Sequence, residues 1–149
     1  LYEHPQPVVA ACTGHAMAGG ALLLLCCDTR IGIEGEFRIG LNEVAIGMPL
    51  PVFASELARE RLRRNAFLRA TLQGHVHSPS EAAEVGFLDR VVAPAELLET
   101  ARAEALALAR LPVKAYASTK RSLREPLIAH VRATYEDDVH RVMSVMTES

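Results

Sequence analysis

The sequence predicts an α/β fold, and three features predict it. Residues 8–12 (Val-Val-Ala-Ala-Cys) form a short apolar run bounded by Pro5, Pro7 and the Thr13-Gly14 pair, which reads as a buried strand. Residues 28–33 (Asp-Thr-Arg-Ile-Gly-Ile) alternate polar and apolar side chains and read as a second strand, with an apolar helical run over residues 21–27 between the two. Beyond residue 95 the pattern becomes almost wholly helical. A strand, helix, strand order needs a crossover, so the two strands pair in parallel with a right-handed connection.

The stretch joining strand to helix, Thr13-Gly14-His15-Ala16-Met17-Ala18-Gly19-Gly20, is the one around which the rest is organised. The helix behind it is apolar on every side and reads as buried all round. Its first amides lack internal partners and carry the positive end of the helix dipole, and glycine lets an oxygen approach them closely. Such a turn can hold a resting anion or stabilise charge developing on a carbonyl oxygen. It can also be plain close packing of helix on strand, and the turn alone does not decide.

After the second strand, Glu34-Gly35-Glu36 reads as a turn, and residues 37–39 resume an extended path. Residues 40–51 mix turn residues with large apolar ones and carry a single acid, Glu43. That acid is either an exposed bump or a carboxylate in an apolar pocket; residue type by itself favours exposure, because glutamate is rarely buried without a partner. In a pocket its proton affinity would rise toward what a general base needs near neutral pH.

Residues 53–62 place Phe53, Leu57, Ala58 and Leu62 on one helical face and Glu56, Arg59, Glu60 and Arg61 on the other, a solvated amphipathic helix. Residues 65–72 read as a further helix ending at Gly74. Ser78-Pro79-Ser80-Glu81 is a helix start, with Ser78 as cap and Glu81 closing the box. Gly86 ends that helix before an extended segment over residues 87–92. His75 and His77 have no third ligand at a fitting spacing, so no metal is expected. Residues 95–111 form a helix stopped by Pro112, residues 113–124 another, and Pro126 starts a last amphipathic one whose apolar Ile128, Val131, Tyr135, Val139, Val142 and Met146 recur three or four apart. Two regions follow: residues 1–95, carrying the Gly-rich turn and Glu43, and a helical region over residues 96–149.

The 149 residues suffice for one domain with a real core. A net charge of −2, with basic and acidic residues interspersed, gives no stripe for nucleic acid. The longest apolar run is far short of the ~20 residues a membrane span needs, and no signal peptide opens the sequence, so a soluble, cytoplasmic protein is expected. The three cysteines read as small buried hydrophobes. Neither end reads as the end of a domain, and the sequence is expected to be the central and C-terminal part of a larger fold. Arg63, Arg64, Lys114 and Lys120 take no assigned role.

The order Pro-Val-Val-Ala-Ala (7–11), Thr-Gly-His-Ala-Met-Ala-Gly-Gly (13–20), Cys27-Asp28, Gly-Leu-Asn-Glu (40–43) and Ser-Pro-Ser-Glu-Ala-Ala-Glu-Val-Gly-Phe-Leu-Asp-Arg-Val-Val (78–92) resembles the crotonase superfamily over nearly the whole chain. The resemblance implies a spiral of ββα turns followed by C-terminal helices, a homotrimer or dimer of trimers in which those helices serve assembly and cover the active site, and an acyl-coenzyme A thioester as partner, with no separate cofactor. It implies an oxyanion hole of two amides, one from Gly19 and one from a loop before Leu1. It also implies Ala16, Ala18, Gly20, Leu22 and Leu41 as substrate-binding positions. Members that hydrate enoyl thioesters carry two glutamates around one water; the first falls on Leu22 here, while Glu43 matches the second. Residues three apart share a helix face, so Leu22 should look toward the same cavity as Gly19. The Gly-Leu-Asn-Glu segment is similar to the mitochondrial-type Δ3,Δ2-enoyl-CoA isomerases. The expectation is an enoyl-CoA isomerase acting through Glu43, with an enoyl-CoA hydratase, or a non-catalytic acyl-CoA-binding or assembly subunit, as alternatives.

Overall fold

The computed structural model describes residues 1–147. In chain order the first half runs β1 (Val9–Cys12), β2 (Ala16–Met17), α1 (Gly19–Cys26), β3 (Thr29–Ile33) and β4 (Ile39–Gly40). It continues as α2 (Val52–Arg61), α3 (Phe67–Thr71), α4 (Pro79–Val85), β5 (Arg90–Val92), α5 (Leu97–Ala109) and α6 (Val113–Thr147). β1, β3 and β5 form a parallel sheet in that order, with Val9 opposite Thr29 and Ile31 opposite Arg90. The parallel pairing across the first crossover is the one the strand, helix, strand pattern requires. β2 and β4 form a second, two-stranded parallel sheet.

The largest fully buried side chains, Leu25, Ile31, Ile39, Leu41, Phe87 and Leu88, come from α1, from β3 and β4, and from the segments that follow β4 and α4. α5 lies over β1 and β3, and α6 lies against α2. The helix start at Ser78 is built as its sequence specifies: the Ser78 hydroxyl receives the Glu81 amide, and the Glu81 carboxylate receives the Ser78 amide at 2.8 Å. Gly86 closes the same helix at φ +106°, where a Cβ would stand 2.6 Å from the Arg61 carbonyl oxygen. Only glycine fits there.

Several sequence expectations are corrected. α1 starts at Gly19, two residues early, and is not buried all round: Ala21, Leu24 and Leu25 are buried, but Leu23 is 58% exposed, because β2 and α2 cover only one side. The strand expected over residues 87–92 is ordered as β5 only from Arg90, since Phe87 and Leu88 turn into the core after the Gly86 cap. The helix over residues 65–72 shortens to α3. The two helices expected on either side of Pro126 are one, α6, which runs through it. Pro126 and Ser122, whose carbonyl loses its partner amide, both lie on the exposed face of the helix, open to solvent. Arg61 is half-buried rather than fully solvated; it donates to the carbonyls of Leu25 (3.2 Å) and Cys27 (3.1 Å) at the end of α1.

Lys120, which took no role in the sequence, is buried with Arg124 one turn further along α6. Both close on Asp28, at 2.6 and 2.7 Å, and Asp28 also accepts the Val8 amide at 2.7 Å. Lys120 donates to the Gln6 carbonyl, Arg124 donates to the Tyr2 carbonyl, and the Arg124 guanidinium lies 4.2 Å from the centre of the Tyr2 ring. The cluster ties α6, the N-terminal segment and the junction of α1 with β3 into one body. A third buried cation, Arg30, makes a two-pronged contact with Asp89 and donates to the Gly86 carbonyl, fixing β3 against the end of α4.

Candidate active site

The short parallel pair β2 and β4 positions the site. Ala16 stands opposite Ile39 and Met17 opposite Gly40, and the Ala18 amide donates to the Gly40 carbonyl at 3.0 Å. Paired strands lie about 4.8 Å apart. The Ala18-Gly19-Gly20 turn and the Leu41-Asn42-Glu43 segment therefore leave the same end of one pair, side by side.

The strained residue of the turn is Ala18 rather than a glycine. It caps α1 at φ 47° and ψ −117°, a conformation that costs an ordinary residue about 1–3 kcal/mol. The consequence is that α1 starts abruptly, with the Gly19 amide left without an acceptor among the described residues. Gly19 is exposed, and a Cβ added to it would meet no atom within 4 Å, so open space lies beside its Cα. Leu22, one turn further on, is half-buried and packs on the core, with its amide bonded to the Ala18 carbonyl.

Glu43 sits just past β4, before a short 3-10 turn over Val44–Ile46. It is 5% exposed, and its Oε2 has no hydrogen-bond partner. Burial pushes its carboxyl above the usual carboxylate range, against a smaller opposing pull from its own backbone amide. The choice the sequence left open thus falls to the pocket. Neighbouring Asn42 also carries a buried side-chain oxygen, Oδ1, without a partner. The parallel register brings Gly19, Gly20, Ala18, Leu22 and Glu43 to one end of the β2–β4 pair. Ala16 and Leu41 are different: they are 6% and 0% exposed, and their side chains belong to the core. Among the described residues no cluster of three or more His, Cys, Asp or Glu side chains could hold a metal ion, and no helix is long and apolar enough to cross a membrane.

Sequence reasoning gave no part to His77, which is 4% exposed and pairs through its backbone with Ile39 of β4. Its pairing is an isolated bridge outside the named strands, which leaves no pattern in the sequence. Sequence reasoning also missed His15, whose Nδ1 accepts the Arg38 amide at 2.9 Å and so ties the Gly-rich segment to the approach to β4.

The family profile described as Enoyl-CoA hydratase/isomerase matches residues 1–148. The chain belongs to this family, within the crotonase superfamily. A crystal structure of an enoyl-CoA hydratase/isomerase family protein from Pseudomonas syringae superposes with a TM-score of 0.92 at 43% identity, covering 95% of this chain and 61% of that one. Mitochondrial enoyl-CoA delta isomerase 1 from Mus musculus is 29% identical over 149 residues, 99% of this chain and 52% of its own length. A putative enoyl-CoA hydratase from Thermus thermophilus is 35% identical over 129 residues, 87% of this chain and 49% of its own. The chain thus spans about half the length of these two relatives, and its α/β architecture is that part of the crotonase-like fold.

Proposed function

We propose that this chain carries the base and one oxyanion amide of an enoyl-CoA isomerase, converting a 3-enoyl-CoA thioester into the 2-enoyl isomer. Glu43 removes a proton from C2, and the electron pair moves through the thioester to leave negative charge on its oxygen. The Gly19 amide donates to that oxygen, together with a second amide supplied by residues outside this chain. The protonated Glu43 then returns its proton at C4, which shifts the double bond. An amide of this kind contributes roughly 3 to 4 kcal/mol to the transition state. Ala18 and Gly20 shape the turn, and Leu22 stands one turn beyond it. Coenzyme A enters as part of the substrate, without metal or further cofactor. The helices beyond residue 95 serve a homotrimer or dimer of trimers and cover the site, which fits the exposed Tyr135, Val139, Met143 and Met146 on α6.

The observation that carries this reading is a buried carboxylate with an unpartnered oxygen, at the same end of the β2–β4 pair as an amide without an acceptor, where residue 22 is leucine. Leucine can neither steady a water molecule nor pass a proton. Hydration of a 2-enoyl-CoA is the second reading, favoured by the Thermus thermophilus relative, which bears a hydratase name at higher identity than the mouse isomerase. Assaying 3-enoyl-CoA isomerisation beside 2-enoyl-CoA hydration with the full-length protein separates them. Fast isomerisation with slow hydration is expected; fast hydration with no double-bond shift overturns the proposal. Coenzyme A binding without turnover of either substrate marks a non-catalytic subunit.

A further inference from the structure

β4 is two residues long, yet Glu43 hangs from its end and the Ala18-Gly19 turn is bonded to its side. So short a strand needs bracing from outside its own sheet. The brace is the segment between α3 and α4. Ile39 and His77 exchange both backbone hydrogen bonds, at 3.0 and 2.9 Å, in an antiparallel bridge. The fit is close at the next residue as well: a Cβ on Gly40 would stand 3.0 Å from the His75 carbonyl oxygen.

The side chain that seals this bridge is an imidazole. The His77 ring meets the His75 ring edge-on at 4.8 Å and tilts against Phe87 at 5.5 Å. It is 4% exposed, and its Nδ1 makes no hydrogen bond. An apolar ring would fill the space without an unpaired nitrogen, so the histidine is not explained by packing. Charging it would be worse still. Burial, then the neighbouring His75, hold its pKa below the ordinary histidine value; Arg69 on α3 acts in the same direction, while Glu81 on α4 and the Ile39 backbone oppose them. Glu81 is already engaged in the Ser78 cap. Flanking β4, the titratable groups nearest in sequence are Arg38, directly before Ile39, and Glu43, three residues after Gly40.

We propose that His77 is a positioning residue for Glu43: the neutral imidazole seats the Ile39–His77 bridge, and protonation releases β4, so that Glu43 and the Gly19 turn lose their alignment. Its effect on catalysis rests on Glu43 being the base; the brace itself does not. The proton enters only in acid, below the range of an ordinary histidine.

The test compares the full-length protein with His77→Phe. Hydrogen exchange of peptides covering residues 37–43 and 75–79, corrected for intrinsic rates, is followed from pH 7.5 to 5 without substrate. Opening in the wild type rises as the pH falls, tenfold for each unit by which the His77 pKa lies below its unfolded value. In His77→Phe it stays within about twofold over the same range. The acid limb of kcat/KM falls with a slope of about two in the wild type and about one in His77→Phe, where Glu43 alone titrates. Identical pH responses in both proteins overturn the proposal. Should His77→Phe fail to fold, imidazole titration by NMR decides on the wild type. Shifts of the Ile39, Gly40 and Ala18 amides at the His77 midpoint support the brace, and His77 protonation without them refutes it. A Glu43→Gln protein with full isomerase turnover would sink the catalytic reading alone, leaving the exchange result standing.

Discussion

Replacing Asp28 by alanine should be the most destabilising change outside the hydrophobic core. Asp28 is 12% exposed through its side chain, and its partners Lys120 and Arg124 are 7% and 6% exposed. Removing the acid leaves two buried cations at 2.6 and 2.7 Å from an empty place, and breaking a buried pair in this way costs about 3–5 kcal/mol. For a domain of this size that lowers Tm by roughly 6 to 20 °C. Burial alone would raise the Asp28 carboxyl, but the Lys120 and Val8 hydrogen bonds and the Arg124 charge outweigh it and set the pKa below the ordinary aspartate range. A lowered folded-state pKa gives stability that is present above the unfolded value and lost as pH falls through the folded one. The wild type should therefore lose this increment only in strong acid, and the variant should have none to lose there. Urea unfolding followed by circular dichroism measures both. A triple change, Asp28→Leu with Lys120→Met and Arg124→Leu, removes the charges together and should fall within about 1–2 kcal/mol of wild type. A single Asp28→Ala costing under ~1 kcal/mol, or a triple variant as unstable as the single, refutes the reasoning.

Other expectations follow from single contacts. Gly86→Ala forces a Cβ to 2.6 Å from the Arg61 carbonyl at φ +106° and should cost about 2 kcal/mol or more, read from the urea midpoint. Asp138 on α6 accepts the Val52 amide at the start of α2 at 2.7 Å and pairs with Arg141. Asp138→Ala should cost about 1–2 kcal/mol in the same measurement, and Asp138→Asn less. Leu22→Glu puts a second carboxylate one turn from Gly19 and should raise the ratio of hydration to isomerisation about tenfold or more in paired assays.

Local chemistry made much of this fold legible. The Ser78 capping box rests on neighbours within a few residues, the parallel β1–β3 pair follows from the strand, helix, strand order, and periodicity shows most of the apolar face of α2, although Phe53 is exposed and Ala54 is buried instead. The register that sets Glu43 beside the Gly19 turn came through resemblance, because a two-residue strand such as β4 leaves almost no pattern of its own. Contacts across long stretches of sequence were not legible. Asp28 meets Lys120 and Arg124 across 92 and 96 residues, and nothing in the alternation around Asp28 announces two cations. Pro126 reads as a break because its missing amide is a local fact, whereas solvent exposure of that face, which makes the loss harmless, is a tertiary one. The turn after Glu43 is likewise met by a distant segment: Gly74 packs against Ala45, where an added Cβ would stand 3.0 Å away, a contact that the local pattern does not show.

The most direct test of a single buried acid moving the proton is Glu43→Gln in the full-length protein, with stability and turnover measured on the same sample. Because burial raises the Glu43 pKa, the charged acid subtracts stability as pH rises through the folded value, so the Glu43→Gln variant should be at least as stable as wild type at about pH 8. Its isomerase kcat should nevertheless fall by about 10²- to 10⁴-fold. A variant that folds as well as wild type and still shifts the double bond at the wild-type rate would contradict the account.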